Sequence, residues 1–294
     1  MKSIWTGKKN KKSTCMPEVY DKKTENPTTL QVLVAAMEQT DHTLLEKMHL
    51  ESDALIGNQC PLSAKKAEVE SFMKNGFHYT YYTFPERGVS LNRNTILMRA
   101  KADIVLFADE DLVYEKGYQD KILKAYQRFP KADLILFNVR KARGKEAFQN
   151  TVTREGTVGR LRASRFGTYC ISARLEKLRQ KNLYFHLWFG GGSSYQSGED
   201  TLFLQDCLRH HLKIYACTDT IGCVKHEKST WFFGYNREYF FQKGILFSRI
   251  SPIFSYLRAA VHLVRYRKIY AAFGLQQGYQ AMIEGIRFER NGYQ

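Results

Sequence analysis

Three acids stand in a row directly after an apolar run: Ile104-Val-Leu-Phe-Ala108 leads into Asp109-Glu110-Asp111. Carboxylates this close repel one another unless a cation or hydrogen-bond donors hold them. A divalent cation such as Mg2+ or Mn2+ sits well on hard carboxylate oxygens, and there it neutralises a diphosphate as that group departs. The alternative is a solvated turn, or acids placed before the helix expected from Tyr118. A second pair, Glu199-Asp200, opens a helical pattern behind a Gly/Ser-rich stretch. A carboxylate held there can strip the proton from a hydroxyl whose oxygen attacks carbon. The alternative is a pair of acids that simply suits the positive end of a helix.

The elements that must position these acids alternate in type. Leu30–Ala36, Ala54–Gly57, Tyr79–Thr83, Asp103–Ala108, Leu134–Val139 and Ile214–Cys217 read as strands. Asp41–Leu50, Ser63–Asn75, Ser90–Ala100, Tyr118–Phe129 and Glu199–His211 read as helices. In Ser63–Asn75 the expected cap is Ser63, the inner face Val69, Phe72 and Met73, and the stop Gly76. In Ser90–Ala100, Leu91, Thr95 and Met98 share one side. Residues 141–165 are basic and read as a loop. Strands without polar alternation are covered on both faces, and strands alternating with helices imply an α/β fold with a largely parallel sheet. Ligands of such folds bind beyond the carboxyl ends of the strands, where Asn58-Gln59 and the triple acid fall.

The hydrophobic share of 44% and the aromatic share of 14% exclude disorder along the whole chain. The 294 residues suffice for one sizeable core with an appendage. A formal net charge of +16 implies an anionic partner. The excess sits at the ends: residues 1–28 carry seven Lys/Arg against three acids, and residues 231–294 carry nine against three. No nucleic-acid motif accompanies it, so no nucleic-acid partner is expected. None of the six cysteines forms a C-x-x-C pair, which argues against a zinc ribbon and for reduced thiols in a cytosolic setting. No apolar run approaches the roughly 20 residues of a membrane span, and the Lys-rich start lacks the apolar segment of a signal peptide. Membrane contact is therefore expected to be peripheral. Ile253, Leu257, Ala260, Val261 and Val264 lie near one helical face among Arg258, Arg265, Arg267 and Lys268, with Tyr256, Tyr266 and Tyr270. That pattern suits a helix lying in a membrane interface, or one packed on the rest of the protein.

Arg87-Gly-Val-Ser-Leu-Asn-Arg-Asn94, followed by Ala102-Asp-Ile-Val-Leu-Phe-Ala-Asp-Glu-Asp-Leu-Val-Tyr114, resembles family 2 glycosyltransferases of the GT-A fold. The resemblance runs from about Leu30 to His226. It implies a Rossmann-like, mostly parallel mixed sheet flanked by helices, here with a helical C-terminal extension. It implies an inverting transfer from a nucleotide sugar, with UDP as the expected carrier, to a saccharide or lipid-linked acceptor. By the same resemblance Asp111 and Asp109 hold the metal, with Asp109 and Glu110 also facing the donor, and Arg93 and Asn94 match the family's donor-binding Arg-Asn, Arg93 facing the donor phosphates or sugar; a surface helix arginine is its other reading. Asp200 is the implied base, with Glu199 orienting the acceptor. The family's first-strand motif is absent, Val34-Ala35-Ala36-Met37 standing in its place. Where members read uracil with an Asp, this chain has Asn58-Gln59, whose amides carry both donor and acceptor; a plain turn is the other reading. Trp188 and Phe189, next to Gly190-Gly191-Gly192, form a stacking platform for an acceptor sugar or pack in the core. His226 is a third metal ligand or a structural histidine, and Lys228 a diphosphate contact.

The expected organisation is a basic tail over 1–28, a catalytic domain over 29–230 and a membrane-associating helical segment over 231–294, at the inner face of a cytoplasmic membrane. Two other classes compete: a nucleotidyltransferase, for which no Gly-rich basic loop follows the first strand, and a non-catalytic basic protein.

Overall fold

The first apolar run forms β1 (Leu30–Met37), buried along almost its whole length, at the centre of a mixed sheet of eleven strands. The computed structural model describes residues 27–63, 67–143, 146–149, 152–225 and 234–292, with backbone alone at 141–143 and 146–149. Parallel neighbours flank β1, with β2 (Asp53–Gln59) on one side and β5 (Ile104–Asp109) on the other. Beyond β2, β4 (Phe77–Phe84) runs parallel and β3 (Glu68–Lys74) closes the edge antiparallel. Beyond β5, β10 (Ile171–Arg174) is inserted antiparallel between β5 and β7 (Leu134–Arg143). β11 (Ile214–Val224) runs parallel to β7 and carries β6 (Leu112–Tyr114) and β9 (Gly156–Thr157) antiparallel, while β8 (Glu146–Gln149) folds back on β7.

The chain builds outward from β1 through β2 and β4, then crosses to place β5 on the opposite flank. A reversal of this kind opens a crevice at the carboxyl ends of the strands. Ala36 pairs with Asn58 across one flank and Ala35 with Asp109 across the other, so both candidate binding segments lie on one rim.

The helix expected over Ser63–Asn75 is not formed; β3 occupies its described part. The sequence signal that decides is Asn75-Gly76, both residues at positive φ (53° and 82°), between β3 and β4 paired as Lys74 with Phe77. A two-residue Asn-Gly loop is the preferred hairpin turn because its twist matches that of the strands. Val69 and Met73, the expected inner face, are 65% and 63% exposed on this edge strand. The 141–165 stretch is not a plain loop either: it holds the end of β7, β8, β9 and a short helix, Arg160–Ala163.

Two helices carry the site. Val89–Arg99 turns Asn92, Arg93, Asn94, Ile96 and Leu97 inward and leaves Met98 exposed, so its buried side is the polar one rather than the Leu91–Thr95–Met98 side. Glu199–Arg209 is fixed by Phe203, whose ring stacks on Phe185 at 4.2 Å, while Phe107 of β5 meets both rings edge-on at 5.7 and 5.1 Å. Burying three such rings contributes about 2 to 3 kcal/mol each, and it locks the helix bearing Asp200 to the strand bearing Asp109. Arg237–Ile250, Ser255–Arg265 and Leu275–Asn291 form a C-terminal helical unit. The first of these helices packs through Ile245, Leu246 and Ile250 on Phe189, Tyr195 and Leu202.

Candidate active site

Arg93 joins the two acidic segments. Its side chain is only 4% exposed; Nη2 donates to Asp109 Oδ1 at 2.5 Å and Nη1 to Glu199 Oε1 at 3.1 Å. Burial opposes the guanidinium charge, and Asp109 and Glu199 more than restore it, so its pKa is raised. Glu199, 106 residues beyond Arg93 in sequence, is thereby held on the same cation as Asp109, and the acids after β5 share a cleft with those opening Glu199–Arg209.

Tyr169 marks the same cleft from another side. Its hydroxyl is pushed up first by burial, then by Cys170 and by the charges of Asp200, Asp109 and Asp111 together. All three carboxylates therefore act on one hydroxyl. Nothing in the sequence around Tyr169 singled it out, because its place depends on the turn before β10.

Asp200 stands half-buried in the first turn of its helix, with Oδ1 accepting the Thr201 N–H at 2.6 Å. Burial and then the neighbouring Glu199 push its carboxyl up to about 6, against the Thr201 N–H, Arg93 and Lys243. Glu199 is held more tightly, between Arg93 and the Gly198 N–H at 3.0 Å. The glycine loop makes room for it: Gly190 has φ +106°, and a Cβ there would lie 2.6 Å from Val89 Cγ1 and 3.1 Å from Glu199 Cδ.

Glu110 turns toward the end of β1. Its Oε2 accepts from the Met37 N–H at 3.1 Å and from Gln39 Nε2 at 2.7 Å, and burial raises its carboxyl above the ordinary range. Asn58 binds Gln39 in both directions, N–H to Oδ1 and Nδ2 to the carbonyl, each at 2.9 Å, and also reaches Thr83. Gln59 is buried and donates to the Gly88 carbonyl. Asn94 clamps the backbone of Phe185 through both halves of its amide at 2.8 Å. These amides tie the loops around the crevice together: Asn58 and Asn94 use both halves of the amide inside the protein, and Gln59 uses its amino group.

Trp188 is 39% exposed, with the Arg249 guanidinium 5.3 Å over its ring. Phe189 is fully buried against Tyr195 and the C-terminal unit, so it is a core residue and offers no ring to an acceptor. His226 and Lys228 lie outside the described residues.

Among the described residues no group of three His, Cys, Asp or Glu side chains forms a ready-made metal cage. Asp109 and Asp111 are both oxygen donors in the common field at Tyr169, and one Asp109 oxygen is already on Arg93. Two carboxylates fit a Mg2+ or Mn2+ that takes its remaining ligands from phosphates and water.

A sequence profile described as glycosyl transferase family 2 matches residues 37–261. Solved structures share the fold. That of S. aureus TarS 1-349 in complex with UDP-GlcNAc superposes with a TM-score of 0.61 at 16% identity, covering 88% of this chain and 82% of that one. The uncomplexed TarS 1-349 gives 0.53 at 15% identity, covering 76% and 65%. The longer S. aureus TarS chain also gives 0.53 at 15% identity, and the match spans 75% of this chain but only 39% of that one. No curated protein matches the sequence significantly.

Proposed function

This chain belongs to glycosyl transferase family 2, and on that premise we propose that it transfers a sugar from a UDP-sugar to an acceptor hydroxyl with inversion at the anomeric carbon. The observation that carries this reading is the Arg93 bridge between Asp109 and Glu199, which brings a phosphate-side acid and a base-side acid to one cleft. The likeness to a structure holding UDP-GlcNAc supports a uridine diphosphate carrier.

The crevice at the ends of β1, β2 and β5 receives the donor. Asp109 and Asp111 would hold a divalent cation, whose positive charge would supply neutralisation for a departing diphosphate. Asp200 accepts the proton of the acceptor hydroxyl. The acceptor oxygen forms a bond to the anomeric carbon as the bond to the diphosphate oxygen breaks, its electron pair leaving with UDP. Arg93 fixes Glu199, and Glu199 orients the acceptor. A carboxyl raised to about 6 is still mostly ionised at neutral pH, and it is a better proton acceptor than an ordinary aspartate. The exposed Trp188 offers a surface on which an acceptor sugar ring stacks.

The acceptor is a saccharide or lipid-linked saccharide of cell-surface assembly, met at the inner face of the cytoplasmic membrane. Exposed Ile253, Phe254, Leu257, Val261, Val264 and Ile269 support this. Arg265, Arg267 and Lys268 lie exposed beside them, a composition suited to an anionic lipid interface. No described helix is long and apolar enough to cross a membrane. The functional test is a panel of nucleotide sugars scored for nucleotide release with Mn2+. UDP released from one donor in the presence of acceptor supports the reading; release from none contradicts it.

A further inference from the structure

The Arg237–Ile250 helix lies directly on the turn that opens the helix of Glu199 and Asp200. Gln242 Oε1 accepts the Gln196 N–H at 3.0 Å. A Cβ on Gly198, at φ +116°, would meet Leu246 Cδ1 at 2.8 Å, so only glycine allows this approach. Lys243 follows Gln242 and lies three residues before Leu246 on the same helix, so it flanks both contacts on the helix surface. Its Nζ lies 5.5 Å from the centre of the Tyr239 ring and forms no ion pair among the described residues. The helix is held in this register by backbone contact with Leu275–Asn291: a Cβ on Gly244 would fall 2.1 Å from the Met282 carbonyl oxygen, and one on Gly285 would fall 2.0 Å from that of Phe241.

We infer that Lys243 is a positioning residue for the base, its ammonium being carried by the C-terminal helical unit to the side of Asp200 and holding that carboxylate ionised toward the acceptor hydroxyl. The inference rests on the transferase reading for its meaning, and it makes the C-terminal unit part of the catalytic apparatus. Among the described residues the groups facing Asp200 are few. Glu199 precedes it on its own helix, Arg93 reaches it from Val89–Arg99, Tyr169 from the turn before β10, and Lys243 from Arg237–Ile250. Arg93 is already shared by two carboxylates. His262 of Ser255–Arg265 also feels the Lys243 charge: burial, then Lys243 and Arg265, lower its pKa to about 4. Burial lowers the pKa of Lys243 itself, and Asp200 and Glu199 hold it up, so its charge depends on the two acids it serves.

The test is a titration of 13C-labelled aspartate carboxyls by NMR in the full chain, with Asp200→Asn assigning the signal. In Lys243→Met, and in the polar Lys243→Gln should the first fold poorly, the Asp200 midpoint moves above its wild-type value; Lys243→Arg brings it back. In the same variants kcat/KM falls about threefold or more further at pH 6 than at pH 8. An Asp200 midpoint that stays at its wild-type value in Lys243→Met or Lys243→Gln overturns the inference. The titration needs no substrate. A wild-type protein that transfers no sugar from any donor sinks the transferase reading instead, and the two failures are distinguishable.

Discussion

The guanidinium of Arg93 and the carboxylate of Asp109 meet at 2.5 Å in a position where the arginine is 4% exposed and the aspartate 32%. With Glu199 on its other nitrogen, Arg93 neutralises two acids that would otherwise repel each other across the cleft. Arg93→Met leaves both uncompensated and costs about 3 kcal/mol of stability, less than for a fully dry pair because Asp109 is partly in water. Arg93→Lys does not restore the loss, because a single ammonium lacks the planar fork that reaches two carboxylates. Chemical denaturation of both variants checks this; a wild-type midpoint in Arg93→Met contradicts it.

The stack of Phe203 on Phe185, with Phe107 at its edge, predicts that Phe203→Ala costs about 3 to 5 kcal/mol and loosens the Asp200 helix from the sheet. Denaturation measures the loss. A cost under about 1 kcal/mol shows that the helix is held by other contacts.

The fold was largely legible where strands are buried on both faces. β1, β2 and β5 appear in the sequence as predominantly apolar runs because both faces of the sheet are covered; the buried polar exceptions are Gln31 in β1 and Asn58-Gln59 at the end of β2. β3 was misread: Val69, Phe72 and Met73 mimic a helical face, and the Asn75-Gly76 turn that overrides it is a two-residue signal. β10 was invisible, since four residues placed between β5 and β7 take their burial from partners far along the chain. At the site, the acids stood out because clustered carboxylates need a physical reason. The engagement of Asn58, Gln59 and Asn94 did not, since an amide that clamps a backbone 91 residues away looks in sequence like one that is free to bind a ligand. Tyr169 and Lys243 carry no local signal, since each comes to the acids on an element distant from them in sequence.

Turnover carries the titration of its base. Burial and Glu199 raise the Asp200 carboxyl from the ordinary aspartate range to about 6. A base works only when ionised, so kcat/KM rises with pH through about 6 and levels off above it. A pH profile of nucleotide release checks the limb. A limb centred near the ordinary aspartate value contradicts the assignment of Asp200.

Nucleotide binding depends on the cation. A ligand at a hundredfold excess over its Kd stabilises the folded state by about 2.7 kcal/mol. Wild-type protein therefore melts higher with UDP and Mn2+ together than with either alone, and Asp111→Ala loses that increment. An undiminished Mn2+-dependent shift in Asp111→Ala removes Asp111 from the metal.

The exposed apolar face predicts lipid binding. Leu257→Glu with Val261→Glu, both on the outer side of Ser255–Arg265, weakens association with vesicles rich in anionic lipid by about tenfold or more and leaves neutral vesicles unbound. Flotation with such vesicles reads this out, and unchanged recovery of the double variant argues that another surface carries the contact.

The central claim is that Asp200 takes a proton from the acceptor while Asp109 and Asp111 serve the donor. Its most direct test is Asp200→Asn, which keeps the shape and removes the basic oxygen, assayed for sugar transfer and for UDP affinity in parallel. Transfer reduced about a thousandfold or more, with UDP affinity within about twofold of wild type, is the predicted result; transfer that persists within about tenfold of wild type contradicts it.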